Sequence, residues 1–462
     1  MKKYFALSFG IALIFLTLSL WRMSQLSLWG HYTLVYFLSL WLILNASVAW
    51  VKNYDAVDLK SLGLPVLAAL ALSVGFPPYP LVGACFIGFA LLFVHRHKAF
   101  SRGISRYAYN WQLFSGLWLW NILTTFWVEN TLFFSGLIAN VLNALLMMIP
   151  FVLWNRIERF VPSRWFRYFA FMAFWISYEY LHLNWEISWP WLILGHQFAH
   201  VPQLIQWYEF SGVLGGSLWI LIINFTIYEW WRNRPQKKNW RPLTIGILVI
   251  APIVYSFVRF WTYTPQGEKA EVVVLQGNYN PHYAKDTVPQ ERQLEKYLQL
   301  SKSLLTDSTR WLLLPESSFR RLDMNNLQRH QAVLKFNALM AQFPNAATIM
   351  GASIIERWYD EKPQDSRSLR EYEYENGKRF WWKAYNAAVF LQDQKEPEVY
   401  KKSKFVPGAE ITPYPKVFFF LKPLTDALGG SIEGLGTQKD RIAFQNGSLS
   451  MAPVICYESV YG

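Results

Sequence analysis

The chain has 462 residues, 53% of them hydrophobic and only 16% charged, with a formal net charge of +13. Soluble proteins carry about 25% charged residues, so this composition excludes a purely soluble globular chain. The charge is also uneven: residues 1–261 hold 19 Lys+Arg against 8 Asp+Glu, whereas residues 262–462 hold 25 against 23. We therefore read a transmembrane part, 1–261, followed by a globular part, 262–462, long enough to bury its own core.

In chain order, apolar stretches of spanning length recur at about 4–21, 31–51, 62–76, 80–95, 111–128, 131–154, 166–182, 212–231 and 243–261. The third and fourth are short and read as a hairpin broken by Gly75-Phe76-Pro77-Pro78. The connecting loops alternate in charge. Arg96, Lys98, Arg102 and Arg106 lie in one, Arg156, Arg159 and Arg164 in another, and Arg232, Arg234, Lys237, Lys238 and Arg241 in a third. The loops around 77–79, 129–130 and 183–211 hold no Lys or Arg. This is the positive-inside pattern, so the basic excess orients the chain in a bilayer and does not mark a nucleic-acid site. With Lys2 and Lys3 inside, nine spans place residue 262 outside. Residues 4–21 also fit a signal peptide, but no clear small-x-small cleavage site follows, and its removal would not change the parity.

Loop 183–211 is rich in tryptophan and holds only Glu186 and Glu209 as charges. Its Trp189 and Trp191, with Glu179 inside the preceding span, read either as an interfacial belt or as a lipid and substrate platform. An intramembrane carboxylate is a functional candidate, unless it reaches the interface. His196 and His200 have helical metal-ligand spacing, but no third ligand accompanies them, so no metal or other cofactor is expected. The two cysteines, Cys85 and Cys456, fall in different parts, which argues against a disulfide.

In the globular part, Glu271–Gln276 reads as a buried strand, 289–306 as an amphipathic helix and Trp311–Leu314 as a second strand. A helix over 324–342 and strands over Ala347–Ser353, 384–392, 396–401 and Ser450–Cys456 follow. The polar segment 359–380 reads as a surface insertion. Alternating strands and helices predict an α/β layered domain. Three strand ends carry reactive side chains: Glu316, Lys402 and Cys456. Such ends are where α/β sheets build sites. Singly, each has an ordinary explanation: a solvated terminus, a basic loop, an inert core thiol. Together they suit acyl transfer through a thioester. A thiol needs a base at neutral pH, which a carboxylate supplies, and an ammonium can stabilise the oxyanion.

These residues carry a resemblance. Leu-Pro-Glu316, Tyr400-Lys-Lys402-Ser-Lys-Phe-Val-Pro407-Gly-Ala-Glu410 and Ile-Cys456-Tyr-Glu458 resemble the Glu-Lys-Cys pattern of the nitrilase superfamily. Gly-Phe-Pro77-Pro78, Glu179-Tyr-Leu-His, Trp189-Pro-Trp191, Gly212…Gly215…Asn224, Gln276-Gly-Asn278 and Tyr385-Asn386 resemble its membrane-bound branch, the apolipoprotein N-acyltransferases. The two N-terminal spans precede the similar region, and His182 stands where the family usually has arginine.

The resemblance implies an αββα nitrilase-like sandwich facing the periplasm of a bacterial inner membrane. It implies Cys456 as nucleophile, Glu316 as general base and Lys402 as oxyanion stabiliser, with Glu410, Glu458, Tyr457 and Asn386 supporting them. The donor would be a membrane glycerophospholipid and the acceptor the α-amino group of a diacylglyceryl apolipoprotein; the enzyme would be a monomer. The resemblance also implies further strands and a final span beyond Gly462, so a truncated chain is expected. The competing readings are a membrane-tethered nitrilase-like amidase that uses water, and a non-catalytic membrane protein that only binds partners.

Overall fold

The computed structural model describes residues 2–26, 29–52, 59–130, 133–233, 240–279, 288–365, 367–417 and 434–461. The basic residues Arg234, Lys237 and Lys238 of the last charged loop lie outside them. The chain divides into two compact units, Met1–Thr264 and Pro265–Tyr461.

Nine α-helices make up the described part of the first unit: α1 (Lys2–Gln25), α2 (Tyr32–Lys52), α3 (Leu59–Val74), α4 (Cys85–Ser101), α5 (Arg106–Thr125), α6 (Phe133–Ile157), α7 (Arg164–Asn184), α8 (Tyr208–Arg232) and α9 (Arg241–Thr262). Every apolar stretch contains one of them. Among the described residues, five (in α1, α2, α6, α8 and α9) are long and apolar enough to cross a membrane. The other four fall short for two reasons. Helices α3 and α4 have 16 and 17 residues. Helices α5 and α7 carry polar side chains such as Gln112, Asn121, Glu179 and His182 within their length. The five spans mark a multi-pass membrane protein.

Aromatic rings fill the centre of this unit. Phe93 stacks on Phe225 with ring centres 4.2 Å apart, and Phe89 meets Trp175 edge-on at 4.6 Å. Gly88 lets α3 approach α4, because a Cβ there would sit 2.5 Å from Leu72. Asn224 of α8 ties into α4, accepting from the Ala90 amide at 2.8 Å and donating to the Cys85 carbonyl at 2.9 Å. Leu243, Ile247, Ile250, Val254 and Val258 lie exposed along α9. That stripe suits a hydrocarbon surrounding, in which Leu and Ile have no reason to hide.

The second unit is a mixed α/β fold around a seven-stranded sheet. Strands β1 (Glu271–Val274), β2 (Thr309–Leu313) and β4 (Ala347–Trp358) run parallel, with β3 (Phe319–Asp323) parallel to the second half of β4. Strand β6 (Arg379–Gln392) pairs antiparallel along all of β4, from Ala347↔Gln392 to Trp358↔Trp381. Strands β5 (Arg370–Glu373) and β7 (Glu398–Lys401) pair antiparallel with β6. Side chains alternate between the faces. Leu312, Met350 and Val389 pack with helices α10 (Gln290–Leu304) and α11 (Gln331–Met340) on one side. Trp311, Ile349 and Phe390 form a second cluster with Tyr400, Phe444 and Ile455 on the other. A hairpin, β8 (Phe444–Asn446) and β9 (Leu449–Met451), joins this second cluster through Phe444 stacked on Phe390 at 5.1 Å.

Several expectations change. The helix expected over 324–342 breaks at His330, whose extended backbone ends a 3-10 segment and whose ring accepts from the Ala332 amide to start α11. The segment 359–380 is only partly an insertion, since it contributes β5 and the start of β6, where Tyr372, Tyr374 and Phe380 pack together. The strand expected over Ser450–Cys456 ends at Met451. Pro453 has no amide to donate to a ladder, and Cys456 opens a 3-10 turn, Cys456–Val460.

Candidate active site

Glu316 follows β2 through Pro315. Gly351 on neighbouring β4 makes room for that turn: a Cβ there would lie 2.4 Å from the Pro315 carbonyl oxygen and 2.6 Å from the Glu316 Cα. Lys402 follows β7 directly, and its amide donates to the Asn386 carbonyl at 2.8 Å, continuing the pairing with β6. The Lys402 side chain is 1% exposed. A buried ammonium must be paired, and Glu410 does this with both oxygens, at 2.8 and 2.9 Å. Glu410 also accepts from the Val406 amide at 2.9 Å.

The Lys402 Nζ lies 3.7 Å from Glu316 Oε1. Asn386 on β6 bridges the two carboxylates, its Nδ2 donating to Glu316 at 2.6 Å and reaching Glu410 at 3.3 Å. Glu316 differs from its neighbours in one respect: its side chain is 35% exposed. The ammonium is thus held closely by one carboxylate, while the other, bonded by Asn386, stays partly exposed.

Cys456 sits at φ +49°, in the left-handed region that a non-glycine residue occupies at a cost. The residue is exposed, while Ile455 and Tyr457 on either side are buried. Glu458 holds this turn. It accepts from the Ile455 amide at 2.8 Å through one oxygen. Its other oxygen takes Tyr400 OH at 2.6 Å and the amide and hydroxyl of Ser403 at 2.7 and 2.6 Å. One buried carboxylate therefore fastens the cysteine turn to the residues on either side of Lys402.

Electrostatics couple the groups. Crowding around the sulfur pushes the Cys456 thiol above its ordinary value, the Glu316 carboxylate adds to that, and the Lys402 ammonium opposes it. Burial pushes Glu458 up, but its hydrogen bonds from Ser403 and Tyr400 outweigh this and hold it below the usual carboxylate range. Tyr400 is pushed up to about 12, first by burial and then by Glu458. A thiol raised in this way is protonated at neutral pH, so it needs a base beside it to become a nucleophile.

The structure joins Glu316, Lys402, Glu410 and Asn386 by hydrogen bonds and ion pairs, sets Cys456 within reach of the charges of the first three, and ties Glu458 to the residues flanking Lys402; Tyr457 is buried and edge-on to Tyr461. Tyr400 and Ser403 take part as well, although the sequence marked them only as flanks of Lys402. No periodicity links them, since Tyr400 lies on β7 and Ser403 two residues beyond its end. In the first unit, Glu179 is buried, accepting from Trp175 Nε1 and the Leu194 amide, each at 2.9 Å. Glu179 is thus met by protein donors rather than by solvent. Trp189 and Trp191 are half-buried, and Trp191 meets Trp127 edge-on at 5.0 Å.

Residues 68–226, from α3 into α8, match the sequence model of the apolipoprotein N-acyltransferase N-terminal domain. The chain is 24% identical over 425 residues to an apolipoprotein N-acyltransferase of Chlorobaculum tepidum, covering 87% of this chain and 75% of that protein. It is 21% identical over 435 residues to apolipoprotein N-acyltransferase 1 of Treponema denticola, covering 89% and 77%. A third, from Wigglesworthia glossinidia brevipalpis, is 25% identical over 359 residues, covering 75% and 63%. The chain is thus similar to apolipoprotein N-acyltransferases over most of its length. These matches are longer than the first unit, so the kinship extends into the unit that holds Cys456.

Proposed function

We propose that this chain transfers an acyl group from a membrane glycerophospholipid to the N-terminal amine of a diacylglyceryl apolipoprotein, through a thioester on Cys456. Glu316 takes the thiol proton as sulfur attacks the ester carbonyl. The carbonyl oxygen, negative in the tetrahedral intermediate, is stabilised by Lys402. The ester C–O bond breaks, and Glu316 returns the proton to the departing lysophospholipid. The amine of the acceptor then attacks the thioester, the C–S bond breaks, and Glu316 relays the amine proton so that the thiol is restored. Glu410 holds the Lys402 ammonium in place through both of its oxygens. Asn386 holds Glu316 toward the ammonium, and Glu458 sets the Cys456 turn.

The observation that supports this reading most is the division of labour around Lys402. One carboxylate is spent on the buried ammonium, and a second, partly open, lies 3.7 Å from it. Both are coupled to an exposed thiol at a positive φ. A nitrilase-like sandwich facing the periplasm of a bacterial inner membrane is part of the proposal. Glu179, Trp189 and Trp191 would then serve the lipid substrates from the first unit.

Incubation of the purified protein with a phospholipid should add the mass of one fatty acyl group to the peptide holding Cys456. A diacylglyceryl peptide with a free amine should discharge it, and Cys456→Ala should abolish the adduct. Absence of the adduct in the wild type would remove the thioester. Release of free fatty acid at the same rate without any amine would favour a hydrolase instead.

A further inference from the structure

A cavity of about 700 Å³ opens in the first unit between the C-terminal ends of α4 and α6 and the N-terminal end of α5. These are the helix ends at which apolar sequence gives way to two of the basic loops. Arg96, Arg106, Arg156 and Arg159 line it, and among its lining residues Glu158 is the one acid.

Glu158 leaves most of that charge uncancelled, because it is already shared. It pairs with Arg96 and accepts from Arg167 of α7 at 2.8 Å. Arg96 is fixed and buried: its Nε donates to Asn155 at 2.6 Å, and its guanidinium lies 4.1 Å from the Trp154 ring centre and 5.0 Å from that of Phe100. Arg156 and Arg159 are exposed and form no ion pair among the described residues.

A second feature of the wall is independent of this charge. Tyr109 lines the cavity and is fully buried, with its hydroxyl beside Asn155 of the same wall. A phenol hydroxyl there can donate to a ligand oxygen as well as accept from Asn155. Phe100, Ile104 and Val152 give the wall an apolar part beside the arginines, and neutral polar side chains such as Ser101 and Asn110 complete it.

We propose that this cavity binds the headgroup of an anionic glycerophospholipid. The arginines and the Tyr109 hydroxyl would donate to the phosphodiester, and Phe100, Ile104 and Val152 would meet the glycerol and the upper acyl chain. Arginine forks match phosphate geometry, and basic pockets between membrane helices at this depth select acidic lipids. Inorganic phosphate would have no use for the apolar part of the wall. A zwitterionic lipid would bring a cation into a surplus of positive charge.

The test uses the full chain in a non-ionic detergent, with native mass spectrometry and the thermal midpoint as readouts. The probes are short-chain phosphatidylglycerol, phosphatidylcholine of the same chain length, and inorganic phosphate. Phosphatidylglycerol should bind on the order of tenfold more tightly than phosphatidylcholine. The pair Arg156→Gln and Arg159→Gln, both exposed, should erase that preference. Tyr109→Phe, which removes one oxygen from a buried ring, should weaken phosphatidylglycerol severalfold. Arg102→Gln, in the same basic loop but outside the cavity, should leave binding unchanged. Equal binding of the two lipids would overturn the proposal, as would an equal thermal shift with inorganic phosphate. So would an Arg102→Gln loss matching that of the double variant.

Discussion

The first unit exposes Leu243, Ile247 and Ile250 along α9 and encloses Asn121, Asn143 and Glu229, whereas the second encloses Leu312, Phe336 and Val389 and exposes Glu291, Lys302 and Arg379. A buried carboxylate therefore means different things in the two. In the first unit, Glu229 is 1% exposed and occupied on every side: Tyr168 OH donates at 2.5 Å, and Arg164, Arg232 and Arg241 lie 3.6–3.9 Å away. In the second unit Glu316 stays one-third open beside a buried ammonium. Glu229 is spent entirely on its neighbours, whereas Glu316 keeps part of its surface exposed beside a sealed cation.

The largest effect that would test this contrast is Glu316→Gln. Glutamine keeps an oxygen for the Asn386 amide, so the fold should hold, while acyl transfer to Cys456 should slow by about 10²–10⁴. The same variant should change the thiol itself. In the wild type, alkylation of Cys456 should rise with pH through a midpoint above that of a free thiol, about 8.5, because crowding and Glu316 both disfavour the thiolate. Removing the Glu316 charge should bring that midpoint down. A midpoint that stays put or rises would mean that the carboxylate and the sulfur do not feel each other.

Much of this was legible in the sequence. All nine apolar stretches contain helices, because hydropathy over some twenty residues is a local property. Glu316, Lys402 and Cys456 stood out because each closes a segment that reads as a strand. What stayed hidden depends on distant partners. Strand β3, Phe-Arg-Arg-Leu-Asp, has no apolar run of its own and exists by pairing with Ile354 and Ile355 on β4. The segment 359–380 looked like surface because its aromatic residues are interleaved with charges, and cross-strand packing with Phe380 cannot be seen one residue at a time. The roles of Tyr400 and Ser403 depend on Glu458, more than fifty residues further on. The turn at Cys456 was read as strand because its apolar flanks hid a backbone that Pro453 and a positive φ do not allow to continue.

Among stability effects, Glu229→Gln should be the largest, about 3 kcal/mol, since it strands three guanidinium groups at once; the exposure of Arg164 and Arg232 keeps the cost from rising further. Glu458→Gln should cost less, about 1–3 kcal/mol, because an amide nitrogen would face the Ile455 amide that the carboxylate now accepts. It should also change the acid limb of stability. The folded Glu458 is held below its unfolded value, so its contribution is present above about pH 4.3 and is lost as pH falls through the folded value. The thermal midpoint of the wild type should drop over that window, and that component should vanish in the variant. An unchanged acid limb would mean that Glu458 does not hold the turn through its charge.

The smallest expected effect is at Asp323, which pairs with Arg357 at 2.8 Å with both side chains about one-third exposed. In water such a pair gains little beyond what the separated charges already have, and ordering the arginine costs entropy. Asp323→Asn should therefore shift stability by less than about 1 kcal/mol, and the shift should shrink further in salt, as screening of exposed charges requires. The Asp323 carboxylate also accepts from the Asn325 amide at the start of the 3-10 segment, and asparagine keeps that oxygen. What is left is the charge alone, in the same role that Arg164 and Arg232 play around Glu229 but with water on both sides. If denaturant titration gave Asp323→Asn a cost equal to that of Glu229→Gln, the distinction between an enclosed carboxylate and an open one would lose its energetic basis.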